Sequence, residues 1–321
     1  MDKIAYYWGG HTIYWSSILL TLAAGVAICF FLSRYLKQDA PLSAGFLAVP
    51  LSLALSLLFA RLIHWYCRTD SYGSLWQALT EPASGGYALL GVFAGCILAA
   101  VLLRLTKTSR NLPQMLDCMS YAAAAGIAVG RLSAFFNTTD RGQILTLLRF
   151  LPFAYPVTNT VSGAQEYRLA TFLFQALVAL GIFLWLSRYD RRLHRDGNLT
   201  LRFLLVYGAS QVVLDSTRYD KLFFRSNGFI SIVQVAGAVA LVVAIFFAAV
   251  RMTKARGFRL WYAALWLGIA GTLGGAGFME YYVQRHGDLA FFSYSVMTIC
   301  LAAAVGSALT MEHLAENADC R

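Results

Sequence analysis

Several ionisable residues are spaced for chemistry. Arg61, His64 and Arg68 recur at i, i+3 and i+7, which places them on one face of a helix. Asp215 and Arg218 stand three residues apart, with Gln211 one turn earlier. Arg131 ends the run AAAAGIAVG, and Glu166 and Arg168 open a later apolar run. As residue types, a guanidinium offers a fixed charge and a planar fork of donors, while a carboxylate or imidazole exchanges protons. Plainer roles compete. An Arg at the end of an apolar helix snorkels to an interface, the expectation for Arg61 and Arg68, and Asp215 with Arg218 reads equally as a helix-end ion pair. Arg131 is different. The small residues before it let helices approach closely, so protein should surround it. Phe135, Phe136, Tyr155, Phe223 and Phe224 read as an interfacial aromatic belt.

The rest of the chain says what must hold these groups. Its 321 residues are 59% hydrophobic and only 13% charged, with a mean hydropathy of +0.60. A soluble domain cannot hide that much apolar surface, so the composition predicts an integral membrane protein of the all-α class, a polytopic helix bundle. Ionisable groups at membrane depth are costly and face the bundle interior. The first apolar run is long, follows the aromatic start MDKIAYYWGG and precedes further spans, so it reads as a span and not as a cleavable signal.

The six cysteines are scattered without a CxxC pair, and the five histidines show no HExxH spacing. They point to core thiols, with no metal site and no cofactor. A net charge of +10, held in short loops between spans, suits anionic lipids and not nucleic acid.

Runs of roughly 20 apolar residues predict about nine spans, near 13–36, 42–66, 86–105, 115–136, 167–187, 200–216, 229–250, 260–281 and 290–310. More than half of the 26 Lys and Arg fall on one side if the N-terminus is outside and the C-terminus cytoplasmic. The outward side then carries the charged groups named above. GGAGFMEYYVQRHGD reads as an outer loop and the tail MEHLAENADCR as a short solvated end.

An ordered set of motifs adds to this. GRLSAFFNTTDRG resembles the signature of the prolipoprotein diacylglyceryl transferase family. HTIYWSSILL is similar to the family's first span, ARLIHWY to the end of its second, and SGGYALLGVFAG to the Gly-rich start of its third. EYRLATFLFQAL, LLVYGASQVVLDSTRYD and NGFISIVQVAGAVALVVAI resemble its later spans. The resemblance implies a seven-span transferase-like core over 1–252, followed by two further helices and a tail over 253–321.

By that resemblance the chain is a membrane transferase of a bacterial plasma membrane, with its site facing outward. It would move a diacylglyceryl group from phosphatidylglycerol, or a similar anionic lipid, to the cysteine thiol of a lipoprotein precursor. The departing phosphate needs fixed cations, and the thiol must lose its proton. Arg131, Arg218, Asn137, Gly142, Gln211 and Gly86 are the implied lipid-phosphate residues, and Asp215, Asp140 and His64 the implied orienting or proton-accepting groups. The chain also departs from the family. Leu90 stands at the family's His, Ala134 at its Asn, Ser16 at its Tyr and Gln211 at an Arg, while Asp215 replaces a Glu. The cationic half of the site is better kept than the proton-transfer half. The other expectation is therefore a relative that binds anionic lipid, or acts as a scaffold, without turnover.

Overall fold

The structure is a computed structural model that describes residues 4–38, 40–81, 86–136, 141–145, 153–158, 163–191, 194–226, 228, 230–257, 259–286 and 289–319. A hairpin comes first, β1 (Ile4–Trp8) with β2 (His11–Tyr14), turning through Gly9 and Gly10, both at positive φ. Next come α1 (Trp15–Tyr35), α2 (Leu42–Cys67), a short α3 (Leu75–Thr80), α4 (Leu89–Leu105) and α5 (Leu112–Gly130). A second hairpin, β3 (Ala154–Thr158) with β4 (Gln165–Leu169), precedes α6 (Thr171–Tyr189) and α7 (Asn198–Ser216). The chain ends with α8 (Ile232–Arg256), α9 (Trp261–His286) and α10 (Ala290–Asp319).

Among the described residues, nine long helices thus stand where the apolar runs predict spans. Among the described residues seven are long and apolar enough to cross a membrane. Of the other two, α4 has 17 residues, and α7 carries Arg202, Gln211 and Asp215 within its 19. The bundle is all-α and polytopic, as expected.

Some boundaries differ from expectation. Glu166 and Arg168 do not open a span; they lie on β4, and the helix begins at Thr171. The stretch expected as an outer loop is helical through His286. The expected solvated end continues α10, with Met311 and Glu312 buried. Phe135 and Tyr155 do not form a belt but pack on Phe172, with Ala134 and Ala170 buried beside them.

Small residues set the closest helix contacts. A Cβ at Gly91 would collide with the backbone of Ala60, and one at Gly95 with that of Ser56. The two glycines of GVFAG therefore press α4 onto α2 backbone to backbone, the close approach that small residues permit in lipid. Ser56 Oγ also donates to the Val92 carbonyl at 3.1 Å. Gly208 and Gly237 make a similar seam between α7 and α8.

The N-terminus of α7 is capped from another helix. Asp117, buried inside α5, accepts from the N–H of Gly197 at 2.7 Å, the N–H of Thr200 at 2.8 Å and the Thr200 hydroxyl at 2.8 Å. A helix's first N–H groups lack intrahelical partners, and a carboxylate there also meets the favourable end of the helix dipole. Gly197, at φ 89°, makes the turn into that cap. One apolar core joins α7 and α8 to α9 and α10 through Leu241, Ile245, Met297 and Leu301.

Candidate active site

Arg131 is held by the packing of α5 on α1. Gly126 and Gly130 face Ala27 and Ala23, so the two helices run close together. Helix α5 stops at Gly130, and residues 131–135 tighten into a 3-10 turn. Trp15 stacks on Phe136 at 6.0 Å, which ties that turn to the start of α1. The Arg131 side chain lies close to the buried Tyr207 hydroxyl.

Tyr207, Gln211 and Asp215 follow at one-turn intervals on α7, with Arg218 just beyond its end. All four are buried. Arg218 Nη1 donates to Asp215 Oδ1 at 2.9 Å, and Ser231 Oγ donates to Asp215 Oδ2. Gln211 Oε1 accepts from Gln175 of α6 at 3.4 Å, and its Nε2 has no hydrogen-bond partner among the described residues. The helix-end pair expected from Asp215 and Arg218 exists, but it lies inside the protein beside Tyr207 and Arg131.

Gly142 is also brought here. Residues 141–145 run as a strand between residues 217–219 and β4. Gln143 N–H donates to the Thr217 carbonyl at 3.0 Å, Tyr219 N–H to Arg141 at 2.9 Å, and Leu169 N–H to Gln143 at 3.0 Å. A Cβ on Gly142 would collide with the Leu169 carbonyl, so glycine is required at this register. Arg168 on β4 adds a guanidinium that the sequence reading did not assign to the site. It is buried, donates to Glu166 at 2.8 Å and to the Gly142 carbonyl at 3.4 Å, and lies 4.6 Å over the Tyr219 ring. Its signal was the strand-like EYRL, merged into the apolar run that follows.

The residues near the end of α2 form a second group. Arg61 does not snorkel to an interface. It is buried and donates to the carbonyls of Ala78, Glu81 and Gly86, and to the Tyr72 hydroxyl at 3.2 Å. It staples Tyr72, Ala78, Glu81 and Gly86 onto α2. His64 Nδ1 is 2.8 Å from the same hydroxyl, and Gly86 lies against the His64 ring. Gly86 and His64 therefore belong together, apart from the Arg131–Arg218 group. Arg68 joins the two groups by donating to the Lys221 carbonyl at 3.3 Å, and Arg225 lies 5.9 Å over Tyr66. Asn137 and Asp140 lie outside the described residues.

Arginines 131, 168 and 218 outnumber the carboxylates Asp215 and Glu166, so the region favours an anion. At its rim, burial pushes the Asp220 carboxyl up against the pull of Arg141, and burial pushes the Lys221 ammonium down.

Residues 3–253 match the sequence profile of a family described as prolipoprotein diacylglyceryl transferase. Named relatives agree. A phosphatidylglycerol–prolipoprotein diacylglyceryl transferase of Thermotoga maritima is 27% identical over 237 residues, 73% of this chain and 79% of that protein. One of Streptococcus suis is 27% identical over 265 residues, 79% of this chain and 94% of that protein. One of Finegoldia magna is 25% identical over 248 residues, 76% and 94%. Helices α9 and α10 lie beyond the matched residues.

Proposed function

The chain belongs to the prolipoprotein diacylglyceryl transferase family, and from that premise we propose that it is a membrane enzyme taking a diacylglyceryl group from phosphatidylglycerol or a similar anionic lipid. The acceptor is the one named for its relatives, a lipoprotein precursor, through its cysteine thiol. The observation that carries this reading is the convergence of Arg131 and Arg218 on Tyr207 and Asp215 at the ends of α5 and α7.

In the reaction a sulfur–carbon bond forms at the glycerol carbon of the diacylglyceryl group. The carbon–oxygen bond to phosphate breaks, and glycerol phosphate leaves. Negative charge gathers on the phosphate in the transition state, and Arg131 and Arg218 offer fixed donors to it. Asp215 orients Arg218. Both its oxygens already accept hydrogen bonds, from Arg218 and Ser231, which suits it to positioning more than to taking a proton. Gly142 lets the strand at 141–145 lie beside Arg218. The thiol proton passes to a base, for which His64 and Asp140 are the candidates, His64 lying in the neighbouring group that Arg68 links to this one. That imidazole lies against Gly86, ahead of α4, the helix that carries Leu90 where the family has a His. The acyl chains lie along the apolar helix surfaces. The site faces outward in a bacterial plasma membrane, with the N-terminus outside and the C-terminus cytoplasmic.

Leu90 and Ala134 also support a second reading, a relative that holds anionic lipid without turnover. One assay separates the two. Liposomes carry phosphatidylglycerol labelled in its diacylglyceryl part, a peptide with a lipoprotein-type cysteine, and the purified protein. Label should move to the peptide, and Arg131→Ala and Arg218→Ala should each abolish transfer. Lipid consumption with an unlabelled peptide points to another acceptor. Lipid binding without consumption favours the second reading, and full turnover in both Arg variants refutes the assigned site.

A further inference from the structure

Helices α9 and α10 lie outside the family match, yet two separate hydrogen-bonded routes connect them to the site. The first runs from α9 through α8 to α7. The buried Glu280 accepts through Oε1 from Gln234 Nε2 at 2.8 Å. Gln234 closes a capping box at the start of α8: its Oε1 accepts from Ser231 N–H at 3.2 Å, and its own N–H donates to Ser231 Oγ at 3.0 Å. Ser231 Oγ then donates to Asp215 Oδ2, whose other oxygen holds Arg218. Ser231 and Asp215 are wholly enclosed, and Gln234 is 3% exposed.

The second route leaves α10. The Tyr294 hydroxyl donates to the Ser216 carbonyl at 3.3 Å and accepts from Gln143 Nε2 at 3.0 Å. Ser216 directly follows Asp215, and Gln143 directly follows Gly142. Tyr294 thus fastens the last turn of α7 to the strand that flanks Arg218. Docking alone does not require these contacts. At the other end of the same helices, Glu312 pairs with Arg202 at 3.0 Å and Glu316 holds Asn198 at 2.6 Å, beside the shared apolar core.

We propose that α9 and α10 are a working part of the site, with Glu280 and Tyr294 as positioning residues for the Asp215–Arg218 pair and the strand at Gly142. This rests on the reading of Arg131 and Arg218 as the lipid-phosphate donors. Glu280 acts through Gln234 and Ser231, and Tyr294 through Ser216 and Gln143; neither touches the lipid. A displaced guanidinium loses its aim at the phosphate, and small misplacements of a binding group are expensive in rate, up to about a hundredfold for 1 Å.

The test uses the full chain in liposomes and reads kcat, KM for phosphatidylglycerol and thermal stability together. Tyr294→Phe removes one hydroxyl, and Glu280→Ala removes the acceptor for Gln234. Each should lower kcat about tenfold. Glu280→Gln restores an acceptor oxygen and should recover most of it. Glu312→Ala, at the far end, should lower thermal stability and leave kcat unchanged. If Tyr294→Phe and Glu280→Ala keep wild-type kcat and lose only stability, as Glu312→Ala does, the helices merely dock and the proposal is overturned. Should the wild-type chain consume no lipid, the transfer reading fails on its own. Binding of headgroup-labelled phosphatidylglycerol, lost in Arg218→Ala, then decides. Weakening several-fold in Tyr294→Phe and Glu280→Ala sustains the positioning role, and unchanged binding refutes it.

Discussion

Replacing Asp117 tests how α7, the helix that carries most of the site, is held. Asp117→Ala removes one carboxylate, 1% exposed, that accepts three hydrogen bonds from the first turn of α7 and the glycine before it. A hydrogen bond to a charged partner contributes about 1.5–3 kcal/mol in soluble proteins, while bonds between membrane helices average nearer 0.6 kcal/mol. The three together place the loss at about 2–4 kcal/mol, because no other described residue is bonded to the freed N–H of Gly197 and the helix dipole also loses its counter-charge. Asp117→Asn keeps one acceptor oxygen and should lose about half as much. Thermal unfolding in detergent, followed by intrinsic fluorescence, should rank wild type above Asn above Ala. If the Ala variant unfolds with the wild type, the cross-helix cap does not stabilise α7 and the reasoning fails.

Two further predictions follow from the geometry. Gly142→Ala puts a Cβ into the Leu169 carbonyl, and overpacking of this kind costs about 1–3 kcal/mol; transfer activity should fall while Thr158→Ala on the neighbouring hairpin, exposed and outside the strand contact, leaves it intact. At the opposite end of the bundle His194 bonds Asp190, which also pairs with Arg34, and Tyr189 stacks on the His194 ring. The bond to Asp190 raises His194 above the ordinary imidazole value against burial, with Asp117 adding to the rise. Burial pushes Asp190 up, but His194 and Arg34 outweigh it and hold the carboxyl below the usual range. A raised cation stabilises fully below its unfolded pKa and loses that contribution as pH rises through the folded value. Thermal stability should therefore decline as pH rises through and above the ordinary imidazole value of 6.5, and His194→Gln should flatten the decline.

Much of the bundle was legible in the sequence because lipid imposes a length and an apolarity that a chain cannot disguise. The nine long helices among the described residues fall on the nine apolar runs. The hairpins did not show: β2 and β4 abut α1 and α6, so their few residues blend into the apolar runs that follow, and Pro156 interrupts the strand signal of β3. The interior placement of Gln211, Asp215 and Arg218 was readable, since polar groups inside apolar runs need an interior reason. Arg61 was misread because its partners at 78, 81 and 86 depend on how a loop returns, which local spacing does not encode. Glu280 and Tyr294 were missed because each looks ordinary in its own helix, and their partners are more than forty residues away.

The glycine seam between α2 and α4 has a mechanical consequence. Where Gly91 and Gly95 meet Ala60 and Ser56, backbone touches backbone, and no flexible side chain lies between to yield. The two helices can neither slide nor roll against each other without collision, so they behave as one stiff beam. One end of that beam carries Arg61, His64 and Gly86. The other end is anchored by Ala44, Ala48 and Leu103 in the core shared with α1 and α5. A tilt of α4 therefore carries with it the part of α2 that bears His64, and hydrophobic mismatch, which tilts helices, moves the pair as a unit.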